Sequence, residues 1–274
     1  MRADVFVFQA GLTESREKAH ALIMAGKVRI NGKRVEKPGM DVPTDAHAEI
    51  EENAIPFVSR GGLKLEKAVL EFQLSLQGYV SADIGASTGG FTDCMLQHGA
   101  KHVYAIDVGY GQLDWRLRND ERVTVMERTN ARNMQLDWFQ APLDFASIDV
   151  SFISLKLILP ALYTCLRDNA QVVALIKPQF EAGRADVGKH GVVRDPVIHR
   201  RVCETVLADA KALGFSCKNL TFSPITGPKG NIEFLALLQK EACVSSNASA
   251  QHALETMQER IAQIVASAHS VLRE

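Results

Sequence analysis

The chain has 274 residues, is 46% hydrophobic, and carries a formal net charge of −1, which suits one substantial core plus a small second domain. No stretch approaches the roughly 20 apolar residues of a membrane helix, and the start lacks a signal core, so we expect a cytoplasmic protein without stable membrane insertion. The five cysteines are scattered and never spaced as C-x-x-C, which predicts neither a disulfide framework nor a metal site.

The first predicted unit, residues 1–58, is locally basic although the whole chain is nearly neutral. Between Arg16 and Lys37, seven basic residues stand against two acidic ones. Thr13 is the predicted N-cap of a helix that ends at Gly26, and an Asn-Gly turn follows a short strand. The predicted RNA-binding residues are Arg16, Lys18, Lys27, Arg29, Lys33, Arg34 and, further along, Arg60. This clustering favours a phosphate backbone as partner, with a merely solvated charged face as the alternative.

The segment from Ser15 to Gly32 resembles the S-four RNA-binding module, because helix, glycine, strand and turn follow in that order. The chain after Pro38 is acidic and rich in turn residues, and residues 54–58 have the composition of an extended joint. These features predict a small α+β domain that ends near residue 58.

Beyond residue 58, strands and helices alternate, which predicts a mainly parallel sheet covered on both faces. The predicted strands are 79–85, 102–108, 123–127, 145–149, 171–177, 216–222 and 232–239, and the predicted helices are 90–98, 112–119, 154–166 and 196–213. The last two strands suggest a closing antiparallel hairpin. The predicted fold class is therefore α/β, a Rossmann-like seven-stranded mixed sheet over residues 59–241. An amphipathic C-terminal helix follows within residues 242–274.

A glycine-rich turn follows the first strand of this second domain. It runs from Asp83 to Phe91 and matches neither the G-x-G-x-x-G of dinucleotide binders nor the G-K-[ST] of phosphate loops. The next strand ends at Asp107, where folds of this type bind ribose hydroxyls. The two signals favour an adenosine cofactor without a pyrophosphate, which is S-adenosylmethionine. A tight turn that only brings a helix close to the sheet is the structural alternative.

Charged residues stand at the carboxyl ends of several predicted strands, where such folds perform their chemistry. Asp149 and Lys177 follow two strands, Glu233 lies at the start of the last strand, and Lys64 precedes the first. A lysine can remove a proton from a ribose hydroxyl when burial and neighbouring cations lower its pKa. Each of these residues taken alone would more often be an ordinary strand-end charge.

The order Lys64, Asp149, Lys177 and Glu233 resembles the Lys-Asp-Lys-Glu tetrad of the ribose 2′-O-methyltransferases related to FtsJ. With the S-four module ahead, the chain resembles the TlyA family, whose members are called both haemolysins and ribosomal RNA methyltransferases. The resemblance is sharpest in residues 59–65, 83–92, 107–113, 149–155, 177–181 and 227–233.

This resemblance implies S-adenosylmethionine-dependent 2′-O-methylation of structured ribosomal RNA, with Lys177 as the general base. The other three tetrad residues would orient Lys177 and the ribose. The cofactor-binding residues that it implies are Asp83, Gly85, Ser87, Gly89, Gly90, Phe91, Asp107 and Asn130. The expected partners are ribosomal RNA or ribosomal subunits, and the loop 178–193 is a predicted substrate-gripping lid.

Two functions from other classes compete with this prediction. A membrane-active haemolysin suits the older family name but not the few bases of the C-terminal helix. A non-catalytic RNA-binding assembly factor would not need an intact tetrad. The motifs leave the target nucleotide and the oligomeric state open.

Overall fold

The computed structural model describes residues 1–24, 27–35, 37–50, 55–242 and 250–272. The chain forms two compact units, Met1–Pro56 and Phe57–Glu274. Gly26, the predicted end of the first basic helix, lies outside the described residues.

The first unit packs two helices and a three-stranded sheet around one small core. Its elements are α1 (Ala3–Gln9), α2 (Arg16–Met24), β1 (Val28–Ile30), β2 (Lys33–Arg34) and β3 (Ala48–Ile50). The strand order is β2-β1-β3, and both pairs are antiparallel. The short elements α1 and β3 were not predicted from the sequence.

Two local features of the first unit show how side chains set its turns. Ser15, and not the predicted Thr13, caps α2, because the Ser15 hydroxyl accepts the Lys18 N–H at 3.1 Å. Asn31 and Gly32 have φ angles of 50° and 73°, the left-handed pair that a two-residue hairpin turn requires.

The second unit is built on a seven-stranded sheet in the order β6-β5-β4-β7-β8-β10-β9. Its strands are β4 (Val80–Ile84), β5 (His102–Ile106), β6 (Val123–Met126), β7 (Leu143–Ile148), β8 (Leu166–Ile176), β9 (Phe215–Phe222) and β10 (Phe234–Lys240). Strands β4 to β8 pair in parallel, and β10 lies antiparallel between β8 and β9. The predicted mixed-sheet fold class is confirmed.

Helices cover the sheet of the second unit. They are α3 (Gly62–Glu71), α4 (Gly90–Gln97), α5 (Trp115–Arg118), α6 (Leu159–Cys165), α7 (Pro178–Glu181), α8 (Pro196–Ala212) and α9 (Ala250–Val271). Helix α3 was not predicted, although it carries Lys64. The predicted helix 154–166 is broken into a 3-10 turn, Leu155–Leu157, and α6, which begins at Leu159. Pro160 has no backbone N–H to donate to the preceding turn, and it lies in the first turn of α6, where that group is not needed.

The core of the second unit lies between the sheet and its helices, where whole strand segments are buried. Ile261, Val265 and Ala268 place one face of α9 in this same core. In the part of the chain that the structure describes, we find no helix long and apolar enough to cross a membrane.

Candidate active site

The sheet brings the predicted catalytic residues to one edge. Strands β4, β7 and β8 are parallel, so their carboxyl ends meet there. Strand β10 runs the opposite way and pairs Phe234 with Ile176, so its first residues lie at the same edge. Glu233 therefore lies next to Lys177, although 56 positions separate them in the numbering.

The four tetrad side chains form one continuous chain of ion pairs. Lys64 Nζ lies 2.8 Å from Glu233 Oε2 and 3.4 Å from Asp149 Oδ2. The other oxygen of Asp149, Oδ1, pairs with Lys177 Nζ. Glu233 and the two lysines are buried, and Asp149 is the most exposed at 19% of its side chain. Alternating cations and anions compensate the cost of burying four charges.

Two uncharged side chains complete this cluster, and sequence reasoning missed both. Ser151 Oγ accepts a hydrogen bond from Lys177 Nζ at 3.1 Å. Gln179 Nε2 donates to Glu233 Oε1 at 3.2 Å, and the Gln179 Oε1 atom is buried without a hydrogen-bond partner among the described residues. Each lies two positions after a tetrad residue in a motif that the sequence had singled out, which is the signal that could have found it.

A small groove lies at the carboxyl ends of β4, β5 and β6, and its side chains have the character that adenosine binding requires. Its walls are Ala86, Ser87, Ala105, Asp107, Gly109, Gln112, Leu113, Val125 and Glu127. Asp107 Oδ2 accepts the Ser87 N–H at 2.8 Å, and Oδ1 accepts the Gly109 N–H at 2.6 Å. Each carboxylate oxygen keeps a further lone pair, which a ribose hydroxyl can use. Apolar walls beside a carboxylate fit the adenosine part of S-adenosylmethionine.

Glu127 is a second carboxylate in this groove that sequence reasoning missed. Its Oε1 accepts the Gly111 N–H at 2.8 Å and pairs with the Arg118 guanidinium at 2.5 Å. Glu127 directly follows β6, just as Asp107 directly follows the neighbouring strand β5. Applying the strand-end criterion to β6 would have identified it.

The side chains of two predicted cofactor contacts are buried among protein groups, and their contact with a cofactor stays a prediction. Asp83 is fully buried, and its carboxylate accepts hydrogen bonds from Thr92 N–H, Thr92 Oγ and Ser147 Oγ at 2.7 to 3.1 Å. Burial raises the pKa of Asp83 to about 7. Phe91 is only 3% exposed. Both side chains therefore stabilise the glycine-rich turn through contacts within the protein.

The glycines of the turn have separate structural reasons. Gly85 and Gly89 have φ angles of 86° and 93°, which side chains rarely adopt. A Cβ on Gly85 would lie 2.6 Å from the Asp149 carbonyl oxygen, so Gly85 sets the spacing between the turn and the tetrad. A Cβ on Gly90 would lie 2.7 Å from the Gly62 nitrogen, so Gly90 lets α4 approach α3.

Asn130 caps a short helical turn at the surface. Its Oδ1 accepts the Arg132 N–H at 3.1 Å, and the residue is exposed. It is not among the groove residues in the described chain, so its contact with an adenine edge stays a prediction.

The predicted RNA-binding residues of the first unit fall into two groups. Arg16 has a structural partner, because its Nε and Nη2 lie 3.0 and 2.9 Å from Asp4 Oδ2. Hydrogen bonds from Arg2 and then from Arg16 hold the pKa of Asp4 well below its usual range. Lys18 forms an exposed pair with Glu14 at 3.4 Å.

The second group lies on the hairpin β1–β2. Arg29 stands directly opposite Arg34, and Lys33 opposite Ile30. Arg29 also lies opposite Glu49 on β3, and its Nη1 donates to the Gly32 carbonyl at 3.1 Å. Lys33 and Arg34 are exposed, Lys27 is half-buried, and Arg60 is exposed in the second unit.

Comparisons with known proteins agree with this architecture. Residues 57–240 match the family of FtsJ-like methyltransferases, and residues 1–47 match the S4 domain. The chain is 51% identical to YqxC of Bacillus subtilis, provisionally named an rRNA methyltransferase, over all of this chain and 95% of the relative. It is 44% identical to the 16S/23S rRNA (cytidine-2′-O)-methyltransferase TlyA of Mycobacterium tuberculosis, over 88% of this chain and 90% of the relative.

A solved structure from Streptococcus thermophilus, provisionally named a hemolysin, is 50% identical to this chain. The similarity covers all of this chain and 97% of that one, with a TM-score of 0.76.

Proposed function

Because this chain belongs to the TlyA family, in which an S4 domain precedes an FtsJ-like methyltransferase domain, we propose that it methylates ribose 2′-hydroxyls of ribosomal RNA with S-adenosylmethionine. The observation that carries the proposal is the convergence of four charged side chains into one ion-pair chain at the strand edge. The groove that contains Asp107 and Glu127 lies at the same edge of the sheet, and its side chains support the choice of S-adenosylmethionine as the cofactor.

The substrate assignment rests on charge and on an exposed aromatic ring. The exposed side chains of Lys33 and Arg34 on the hairpin suit a phosphate backbone. Phe152, three residues after Asp149, is 89% exposed, and an exposed ring of this kind is suited to stack on an unpaired base. A methyltransferase for small molecules would need neither feature.

In the proposed mechanism, bound S-adenosylmethionine supplies a methyl group on a positively charged sulfur that leaves as a neutral thioether. Lys177 acts as the base in its deprotonated form, in which the lone pair of Nζ accepts the proton of the ribose 2′-hydroxyl and becomes an ammonium paired with Asp149. Asp149 and Ser151 hold that amine in place. Lys64, fixed between Asp149 and Glu233, supplies positive charge beside the developing oxyanion. Asp107 orients the cofactor ribose through the lone pairs that remain on its carboxylate.

The experiment is a methyl-transfer assay on ribosomal RNA with labelled S-adenosylmethionine, followed by mapping of 2′-O-methyl positions. We expect Lys177→Ala to lower the single-turnover rate by roughly 10²- to 10⁴-fold, the usual loss on removing a general base. Lys177→Arg should fare little better, because a guanidinium stays protonated. Lys101→Ala, at the exposed start of β5, is the control and should keep the wild-type rate.

Three results would contradict the proposal at different points. Near-normal transfer by Lys177→Arg would show that the position supplies charge and not proton abstraction. Label found on a base would exclude the ribose hydroxyl as acceptor. No transfer by the wild-type protein to ribosomal RNA or to either subunit would exclude the substrate class.

A further inference from the structure

Two sequence motifs contain residues whose contacts are not yet assigned a role, among them Ser154 and Glu181. The motifs are residues 149–155, which follow β7, and residues 177–181, which follow β8. The two motifs contact each other at three points. The hydrogen bonds among these contacts join residues that are 26 or 27 positions apart in the chain.

The first contact is a carboxylate that holds the other loop with both oxygens. Glu181, at the end of α7, accepts the Ser154 hydroxyl at 2.6 Å through Oε2 and the Leu155 N–H at 2.8 Å through Oε1. Burial raises the pKa of Glu181, and these two hydrogen bonds act in the opposite direction. A carboxylate satisfied on both oxygens by one segment restricts that segment strongly.

The second contact supports a strained backbone. Phe152 has a φ angle of 64°, which a bulky residue adopts only when its surroundings enforce it. Its ring lies 4.9 Å from the ring of Phe180, the residue directly before Glu181. The short helix α7 therefore contacts the loop 151–155 at Phe152 and again at Ser154 and Leu155.

The third contact connects this clamp to the tetrad. Ser151, directly before Phe152, accepts the hydrogen bond from Lys177 Nζ at 3.1 Å. Ser151 is itself exposed, so no packing of its own side chain keeps it in place. Its position depends on the anchoring of the loop at Ser154 and Leu155.

We propose that Glu181 is a positioning residue for methyl transfer, because its grip on Ser154 and Leu155 keeps Ser151 against the amine of Lys177. The inference rests on the proposed function, in which Lys177 removes the ribose proton. The Glu181 backbone N–H donates to the Lys177 carbonyl at 3.2 Å, so α7 is joined to Lys177 through the main chain. The described contacts of the Glu181 carboxylate are with Ser154 and Leu155, and Glu181 does not line the groove that contains Asp107.

The test compares Glu181→Ala and Glu181→Gln with a matched control. Asp144 is a half-buried carboxylate at the opposite end of β7. Like Glu181, it accepts one backbone and one side-chain hydrogen bond: the Val80 N–H donates at 2.8 Å and Arg167 Nε donates at 2.6 Å. Asp144→Ala therefore removes an equivalent anchor far along the strand from the tetrad. Single-turnover rates are measured at saturating cofactor and ribosomal RNA, with cofactor affinity and amide hydrogen exchange at Leu155.

We expect Glu181→Ala to react at least about tenfold more slowly, since small misplacements of reacting groups cost this much, while its cofactor affinity stays within about twofold. Glu181→Gln can still accept from Leu155 and donate to the Ser154 oxygen, so it should stay within about threefold of wild type. Asp144→Ala should keep the wild-type rate and lose only thermal stability. Exchange at Leu155 should accelerate in Glu181→Ala alone.

A loss below about tenfold in folded Glu181→Ala, or an equal loss in Glu181→Gln, would overturn the positioning role. If Glu181→Ala does not fold, Ser154→Ala decides, and a rate within about twofold of wild type would overturn the inference. Failure of the wild-type protein to methylate ribosomal RNA would instead contradict the proposed function. Even in that case, amide exchange at Leu155 remains a separate test. An unchanged exchange rate in Glu181→Ala would show that Glu181 does not anchor the loop.

Discussion

Gly85 offers the sharpest test of how the glycine-rich turn and the tetrad are built together. Its φ angle is 86°, and an added Cβ would lie 2.6 Å from the Asp149 carbonyl oxygen and 2.9 Å from the carbonyl carbon. Both atoms are backbone, so no side-chain rotation can relieve the overlap. Gly85→Ala must therefore displace the peptide group of Asp149, whose side chain joins the two lysines of the tetrad.

The cost of Gly85→Ala has two parts. The left-handed conformation costs a residue with a Cβ about 1–2 kcal/mol, and overpacking against fixed atoms adds about 1–3 kcal/mol. Gly78→Ala is the matched control, because Gly78 has a φ angle of 77° but open space where its Cβ would lie. Gly78→Ala should therefore pay only the conformational cost, which lowers the free energy of unfolding by about 1–2 kcal/mol.

Urea denaturation of both variants gives the two free energies of unfolding, and single-turnover assays give the effect on chemistry. We expect Gly85→Ala to lose about 2–5 kcal/mol and to transfer methyl more slowly, while Gly78→Ala keeps the wild-type rate. Equal losses of stability in the two variants, within about 0.5 kcal/mol, would refute the clash. An unchanged transfer rate in Gly85→Ala would refute the coupling of this turn to Asp149.

Further predictions address the cofactor, the RNA and the buried acid. Asp107→Asn should weaken S-adenosylmethionine binding in calorimetry by roughly 10- to 100-fold, and an unchanged affinity would remove Asp107 from ribose binding. Replacing Lys33 and Arg34 by Ala should lower RNA affinity and reduce the slope of log Kd against log salt by about 2, and an unchanged slope would contradict phosphate binding by these residues. Arg16→Ala should instead mainly destabilise the fold around Asp4. The pKa of Asp83 is about 7 in the folded protein against an ordinary 3.8, so the folded state binds more protons between these values and stability falls as pH rises through that window. Asp83→Asn should remove this part of the pH dependence, and parallel stability curves for the two proteins would speak against it.

Much of the architecture could be predicted from local patterns in the sequence. Alternating strand and helix signals predicted the mixed sheet, and the Asn31-Gly32 pair located the hairpin turn. Asp107, the acid after β5, lines the groove, and its role in ribose binding stays a prediction. These features depend on residues a few positions apart, whose periodicity and turn chemistry are visible in one dimension. The strand-end positions singled out Asp149, Lys177 and Glu233, and the family resemblance joined them with Lys64 into one predicted tetrad.

Side-chain partners were decided only by the tertiary structure. Lys64 finds its two carboxylates 85 and 169 positions away, and Glu181 finds its loop 26 or 27 positions away. The buried carboxylate of Asp83, a predicted cofactor contact, has hydrogen-bond partners in Thr92 and Ser147, and Arg16, a predicted RNA contact, forms an ion pair with Asp4. A carboxylate or a lysine has the same local signature whether it faces solvent, a ligand or an ion pair. Its role is set by the groups that the fold brings around it, because desolvation and partner distance determine the free energy of a charge.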